Sequence, residues 1–136
     1  MEMLSREVDW LRSAGLQPTR QRVALARLLV GDQRNKHVTA QMLYLHALED
    51  GGAMSLATVY NTLRILCDAG LLKEIKVDGS RSWFDTRVDD HPHFYWEDTG
   101  ELADVPEGDL PLVEIPGVPE GAEVSEVDVV IRLRRK

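Results

Sequence analysis

The chain has 136 residues, 43% hydrophobic and 29% charged, which fits one or two small folded cores and excludes a disordered polypeptide. Its apolar runs are short and its opening, MEMLSREVDW, has no apolar leader, so neither a membrane partner nor secretion is expected, and the cytoplasm is the expected compartment. The net charge of −7 would discourage nucleic acid, but residues 1–87 carry 12 basic and 10 acidic side chains (net +2), and residues 88–136 carry 4 and 13 (net −9); the asymmetry predicts two domains with different partners.

Residues 1–87 read as helices followed by a hairpin. Ser5 is placed to cap a first helix in which Leu4, Val8 and Leu11 recur, with Gly15 as its stop. The turn GLQP delivers Thr19 as the next cap, and Val23, Ala26 and Leu29 mark the stripe of a second helix ending near Val30. After a polar loop, Asp32 to Lys36, Thr39 caps a third helix with Met42, Leu45 and Leu48 as its expected buried face, stopped at Gly51-Gly52. Ser55 opens a fourth helix, SLATVYNTLRILCDAG, where Leu56, Val59, Leu63 and Leu66 share one side. Thr58, Asn61 and Arg64 lie opposite, with Tyr60 on the flank. LLKEIKV and RSWFD then read as strands joined at Asp78-Gly79-Ser80, a strong hairpin signal.

Helices followed by a hairpin predict a winged helix-turn-helix. A short fourth helix with hydrogen-bonding side chains on its outer face suits a major groove. Arg20, Arg22, Arg27, Lys73, Lys76 and Arg81 are candidate phosphate contacts. The same outer face is equally compatible with an ordinary solvated helix surface.

From residue 94 the pattern turns to strand. FYWE, the turn DTG and ELADV predict a second hairpin, and four prolines between 106 and 121 exclude a regular helix. In EVDVVIRLRRK, Val127, Val129, Ile131 and Leu133 alternate with Asp128, Val130 and Arg132, a strand with one sticky side. Three short strands bury little by themselves and leave open edges, so this half is expected to form a homodimer. The basic tail, Arg132, Arg134, Arg135 and Lys136, is expected to pair with the surrounding acids. The expected fold class is α+β: a winged helix-turn-helix domain at 1–87, a hinge at 88–93, and a small sheet-dominated, α/β-type dimerisation domain at 94–136.

Cys67, the single cysteine, excludes an internal disulfide framework and a four-cysteine structural zinc. In His91-Pro92-His93 the histidines are two apart, so in extended chain they project to one side about 6.7 Å apart and can converge on one metal. Asp85, Asp89 and Asp90 supply nearby carboxylates, and His37 is placed to close a site from the first domain. A surface loop would carry the same His-x-His spacing, so the pattern alone leaves both readings open.

GLQPTRQR at 15–22, HVTAQMLY at 37–44 and SLATVYNTLRILCDAGLL at 55–72 resemble the signature segments of the ferric uptake regulator (Fur) family. The resemblance implies a dimeric repressor of double-stranded DNA operators. It implies reading by the fourth helix, and with the pattern above makes Arg20, Arg22, Thr58, Tyr60, Asn61, Arg64, Lys76 and Arg81 the expected DNA contacts. It also implies a sensing site at His37, Asp85, His91 and His93. Gln17 stands where many members carry a minor-groove lysine, and Asp85 stands where Glu is usual. The paired CxxC motifs are missing, Asp90 and Pro92 stand where members often carry a second metal site's His and Asp, and the proline-rich segment replaces a helix of the dimerisation domain. These last three departures, with the ending VDVVIRLRRK, resemble the Irr branch of iron-responsive regulators of α-proteobacteria. There His91 and His93 are haem candidates and a haem-delivering protein is a further partner. The expected cofactor is a divalent metal (Fe2+, Mn2+ or Zn2+) or haem. The alternatives are a manganese- or ferrous-iron-sensing repressor without haem and, remotely, a metal-dependent hydrolase. Since no Ser-His-Asp, P-loop or HExxH pattern is present, an enzyme is not expected.

Overall fold

The computed structural model describes residues 5–52, 54–78, 81–89, 91–106 and 117–136. The chain divides into two units, Met1–Val88 and Asp89–Lys136. The first contains α1 (Ser5–Ser13), α2 (Arg20–Val30), β1 (His37–Val38), α3 (Ala40–Glu49), α4 (Leu56–Asp68), β2 (Lys73–Lys76) and β3 (Ser82–Asp85). The second contains β4 (His93–Trp96), β5 (Leu102–Asp104) and β6 (Val130–Leu133). Helices packed in one unit and a small sheet in the other make the α+β class expected from the sequence.

Three helices start where hydroxyls predict. The side chains of Thr19, Thr39 and Ser55 accept the backbone N–H of Arg22, Met42 and Thr58, each contact worth about 1 kcal/mol over alanine. Ser5 is itself the first residue of α1, and Leu4 lies outside the described residues. After α4, Gly70 takes a φ of 81°, a left-handed turn that glycine adopts without a Cβ penalty, and the chain leaves into the hairpin.

The core of the first unit gathers Leu11, Leu25, Ala26, Leu29, Leu43, Val59, Leu63, Leu66, Leu72 and Phe84, all buried. On α4 the expected stripe holds at Val59, Leu63 and Leu66, each fully buried and worth about 1.5–3 kcal/mol; Leu56 is half-buried and Thr62 joins the inner face. On α2, Leu25 is buried where Val23 was expected, and Val23 is only half-buried. On α3 the expectation fails. Met42, Leu45 and Leu48 are exposed, and Ala40, Leu43 and Ala47 face inward. Both sets satisfy helical spacing, but two alanines beside one leucine present the flatter surface, which lets a neighbouring helix approach closely.

Strand order in the first sheet is β1-β3-β2. The β2–β3 hairpin is the expected wing, although Gly79 and Ser80 at its tip lie outside the described residues. β1 was not expected. It pairs antiparallel with β3, setting His37 opposite Asp85 and Val38 opposite Phe84. Lys73, a candidate phosphate contact, is instead buried in β2: it pairs with Asp85 in the register of the wing, on a strand whose alternate side chains enter the core.

In the second sheet, β4 is central, with β5 antiparallel on one edge and β6 parallel on the other. The last strand is shorter than expected, with Val127 and Val129 preceding it. Ile131 and Leu133 lie opposite Phe94 and Trp96, which gathers four large apolar residues on one face. The basic tail pairs within this unit: Arg135 sits 4.7 Å over the Trp96 ring and 2.8 Å from Asp98, and Arg132 lies 5.5 Å from the Tyr95 ring centre. Most of the proline-rich segment, residues 107–116, lies outside the described residues. Among the described residues no helix is long and apolar enough to cross a membrane.

Candidate metal-binding half-sites and nucleic-acid interface

In the first unit, strand pairing does the positioning. The β1–β3 register brings together two side chains 48 residues apart, with His37 Nε2 3.1 Å from Asp85 Oδ2. Asp85 is fully buried, and its other oxygen accepts the Arg87 backbone N–H at 2.9 Å. A buried carboxylate is costly unless its oxygens are satisfied, and this one is held by a backbone donor on one side and an imidazole on the other.

The second unit repeats the device. The β4–β5 register sets His93 opposite Asp104, and His91, two residues earlier, reaches the same carboxylate. Asp104 Oδ1 lies 3.0 Å from His91 Nε2 and 3.3 Å from His93 Nε2. The ring centres are 4.3 Å apart, and both histidines are buried. His91 Nδ1 lies 2.7 Å from the Asp89 carbonyl oxygen. A carbonyl oxygen only accepts, so Nδ1 is the donor and the lone pair of a neutral ring is left on Nε2. Asp104 Oδ1 lies 3.0 Å from that nitrogen, and two acceptors this close need a proton or a cation between them. An Nδ1–H held by a backbone carbonyl is also the usual way a metal-binding imidazole is oriented.

Ligands at about 2.1 Å from a common ion lie about 3.0–3.4 Å apart at right or tetrahedral angles, which is the range of the 3.0, 3.1 and 3.3 Å contacts in the two half-sites. His91, His93 and Asp104 each offer a ligand atom within 4.8 Å of the others. The residues therefore fit a divalent metal, with imidazole and carboxylate donors and no sulfur.

Asp104 was missed from the sequence. It was read only as a strand residue in ELADV, and nothing in its local pattern reports the register that faces it to His93. Asp90 lies outside the described residues. His46 is exposed on α3.

On α4, Tyr60, Asn61 and Arg64 are exposed, and Ala57 extends the same stripe toward the helix start. Thr58 is half-buried, its hydroxyl accepting from Ser55 Oγ at 2.9 Å. Arg20 is exposed, while Arg22 is half-buried with Nη1 donating to the Gln17 carbonyl at 3.0 Å. Lys76 and Arg81 are exposed on the wing, and the Arg81 N–H donates to Asp78. Arg27 pairs with Asp50 at 2.8 Å.

The sequence matches the Ferric uptake regulator family over residues 13–129. It is 36% identical over 101 residues, 74% of this chain and 67% of the relative, to the peroxide-responsive repressor PerR of Staphylococcus aureus strain Mu50. The fold resembles that of the ferric uptake regulator from Pseudomonas aeruginosa solved with manganese, with a TM-score of 0.71 and 27% identity over 96% of this chain and 98% of that one. PerR from Streptococcus pyogenes gives 0.50 and 28%, over 75% and 69% of the two chains. The chain belongs to the ferric uptake regulator family.

Proposed function

We propose that the chain is a metal-responsive transcriptional repressor that binds operator DNA as a homodimer. The observation that carries this reading is the pair of cross-strand half-sites, each with a buried imidazole or carboxylate already oriented for a cation. His37 and Asp85 supply two donors and His91, His93 and Asp104 three, and we propose them as metal ligands, since nitrogen and oxygen donors without sulfur suit Mn2+, Fe2+ or Zn2+. When bound, the metal would supply the positive charge that these facing imidazole and carboxylate groups are set to hold.

The chain's own residues do the reading. Asn61 and Arg64 present amide and guanidinium groups of the kind that recognise adenine and guanine edges, and Ala57 presents a methyl suited to thymine. Tyr60 and Thr58 flank them, and Arg20, Arg22, Lys76 and Arg81 meet phosphates. Family regulators bind DNA and act as dimers, and a two-fold dimer sets one α4 in each half-site of a palindrome. The apolar sheet face of Phe94, Trp96, Ile131 and Leu133 supports dimerisation through the second unit.

The test is binding to a selected duplex with Mn2+, with anaerobic Fe2+, and with chelator. Metal is expected to tighten binding at least 10-fold, with affinity falling steeply as salt rises. Equal affinity with metal and with chelator overturns the metal-responsive reading. A peroxide response is a second reading, supported by the S. aureus relative named for it: peroxide should release DNA from the Fe2+ form and spare the Mn2+ form. The iron- and haem-responsive reading of the Irr type draws on His91 and His93. It requires a Soret band that is lost in the His91→Ala/His93→Ala variant.

A further inference from the structure

A recess lies in the first unit, away from the DNA-reading stripe. It is lined by Arg6 and Trp10 of α1, Val30 at the end of α2, Gln33, Arg34 and Asn35 of the following loop, and Thr86 beyond β3, and encloses about 220 Å3. That is smaller than the roughly 300–1,000 Å3 of sites for drug-sized ligands, so its occupant has to be small.

The loop that walls it is tightly constrained. Gly31 has no room for a side chain, because a Cβ there would collide with the Arg27 carbonyl. Gln33 has a φ of 62° and is the one non-glycine residue with positive φ among the described residues, a conformation costing about 1 kcal/mol or more. With the side-chain amide oriented to suit its neighbours, Gln33 accepts from the Arg6 guanidinium, which also donates to the Gly31 carbonyl at 2.8 Å.

Charge in the recess is unevenly committed. Asp32 is taken up by Lys36 Nζ at 2.7 Å and by the Arg34 backbone N–H at 3.1 Å, and these two contacts, Lys36 foremost, hold its carboxyl below the usual carboxylate range. Glu7 is buried on α1, its carboxylate against Gly31. Arg6 is occupied as described, which leaves the Arg34 guanidinium without an acid partner among the described residues. Trp10 and Asn35 line the same recess.

We propose that this recess binds a small organic anion with a planar body: its carboxylate pairs with Arg34, and its ring packs on Trp10. A guanidinium matches a carboxylate with two parallel hydrogen bonds, an indole face offers a flat apolar surface, and the volume admits a single ring. A ligand here would also be felt at the metal half-site. Lys36, next to His37, donates its backbone N–H to Thr86 Oγ1 at 2.9 Å, and Thr86, next to Asp85, donates its own to the Lys36 carbonyl at 3.1 Å. This consequence rests on the metal reading; the binding itself does not.

Calorimetric titration of the whole protein with sodium benzoate, sodium acetate and inorganic phosphate tests the proposal. Benzoate should bind at one site per chain and at least 10-fold more tightly than acetate. Arg34→Gln should weaken it at least 10-fold with an unchanged circular dichroism spectrum. Undetectable benzoate binding, binding indifferent to Arg34→Gln, or phosphate and acetate binding as well as benzoate would each overturn it. These titrations are run on metal-free protein in chelator, so failure of the metal reading is separable from failure of this one. In the native chain, saturating benzoate should shift Mn2+ affinity at least 3-fold; no shift removes the coupling.

Discussion

At Asp104 one carboxylate oxygen serves two imidazoles, 3.0 Å from His91 and 3.3 Å from His93. Asp104→Ala should therefore lower Mn2+ affinity at least about 100-fold, beyond the roughly 10–100-fold loss expected from disturbing an outer-shell partner. The side chain is 36% exposed, so the fold should survive. Competition against a fluorescent chelator gives the number, and unchanged affinity would remove Asp104 from the site. Metal binding should also weaken on acidification, since imidazole and carboxylate must be deprotonated to ligate. The histidines were legible because the two-residue period of extended chain places His91 and His93 together. Asp104 and the pairing of His37 with Asp85 were harder, because each depends on which residues meet across a ladder, and a strand's own sequence does not state its partner.

At the scale of elements, α3 shows where periodicity runs out. Met42, Leu45 and Leu48 keep helical spacing as faithfully as Ala40, Leu43 and Ala47, and hydrophobicity favours the first set; close packing selects the second. Leu43→Ala should cost about 2–5 kcal/mol of unfolding free energy, whereas Leu45→Ala should stay within about 0.5 kcal/mol. Denaturant titrations separate the two, and equal losses would mean that the exposed stripe is covered in solution. The caps at Thr19, Thr39 and Ser55 were readable because capping is local chemistry. β1 was not, since His37-Val38 becomes a strand only by borrowing the edge of β3.

For the whole molecule, the charge division carries the argument. Residues 88–136 hold a net −9, which would repel a phosphate backbone, so DNA affinity has to come from the first unit and from two copies acting together. Removing residues 122–136 deletes β6, taking Ile131 and Leu133 from the apolar face and uncovering the edge of β4. Sedimentation at micromolar concentration should then find monomer, and DNA affinity should fall with it. A persistent dimer would place the contact elsewhere.

The turn between β4 and β5, residues 97–100, has a consequence beyond its own shape. Gly100 donates back to the Trp96 carbonyl at 2.7 Å, closing a connector whose length decides what stands across from His93. One residue inserted there would slide β5 by a single step and offer the imidazole an alanine or a valine instead of an acid. The protein would keep every ligand in its composition and lose the site, so in this chain a spacer's length is as much an inherited instruction as any histidine.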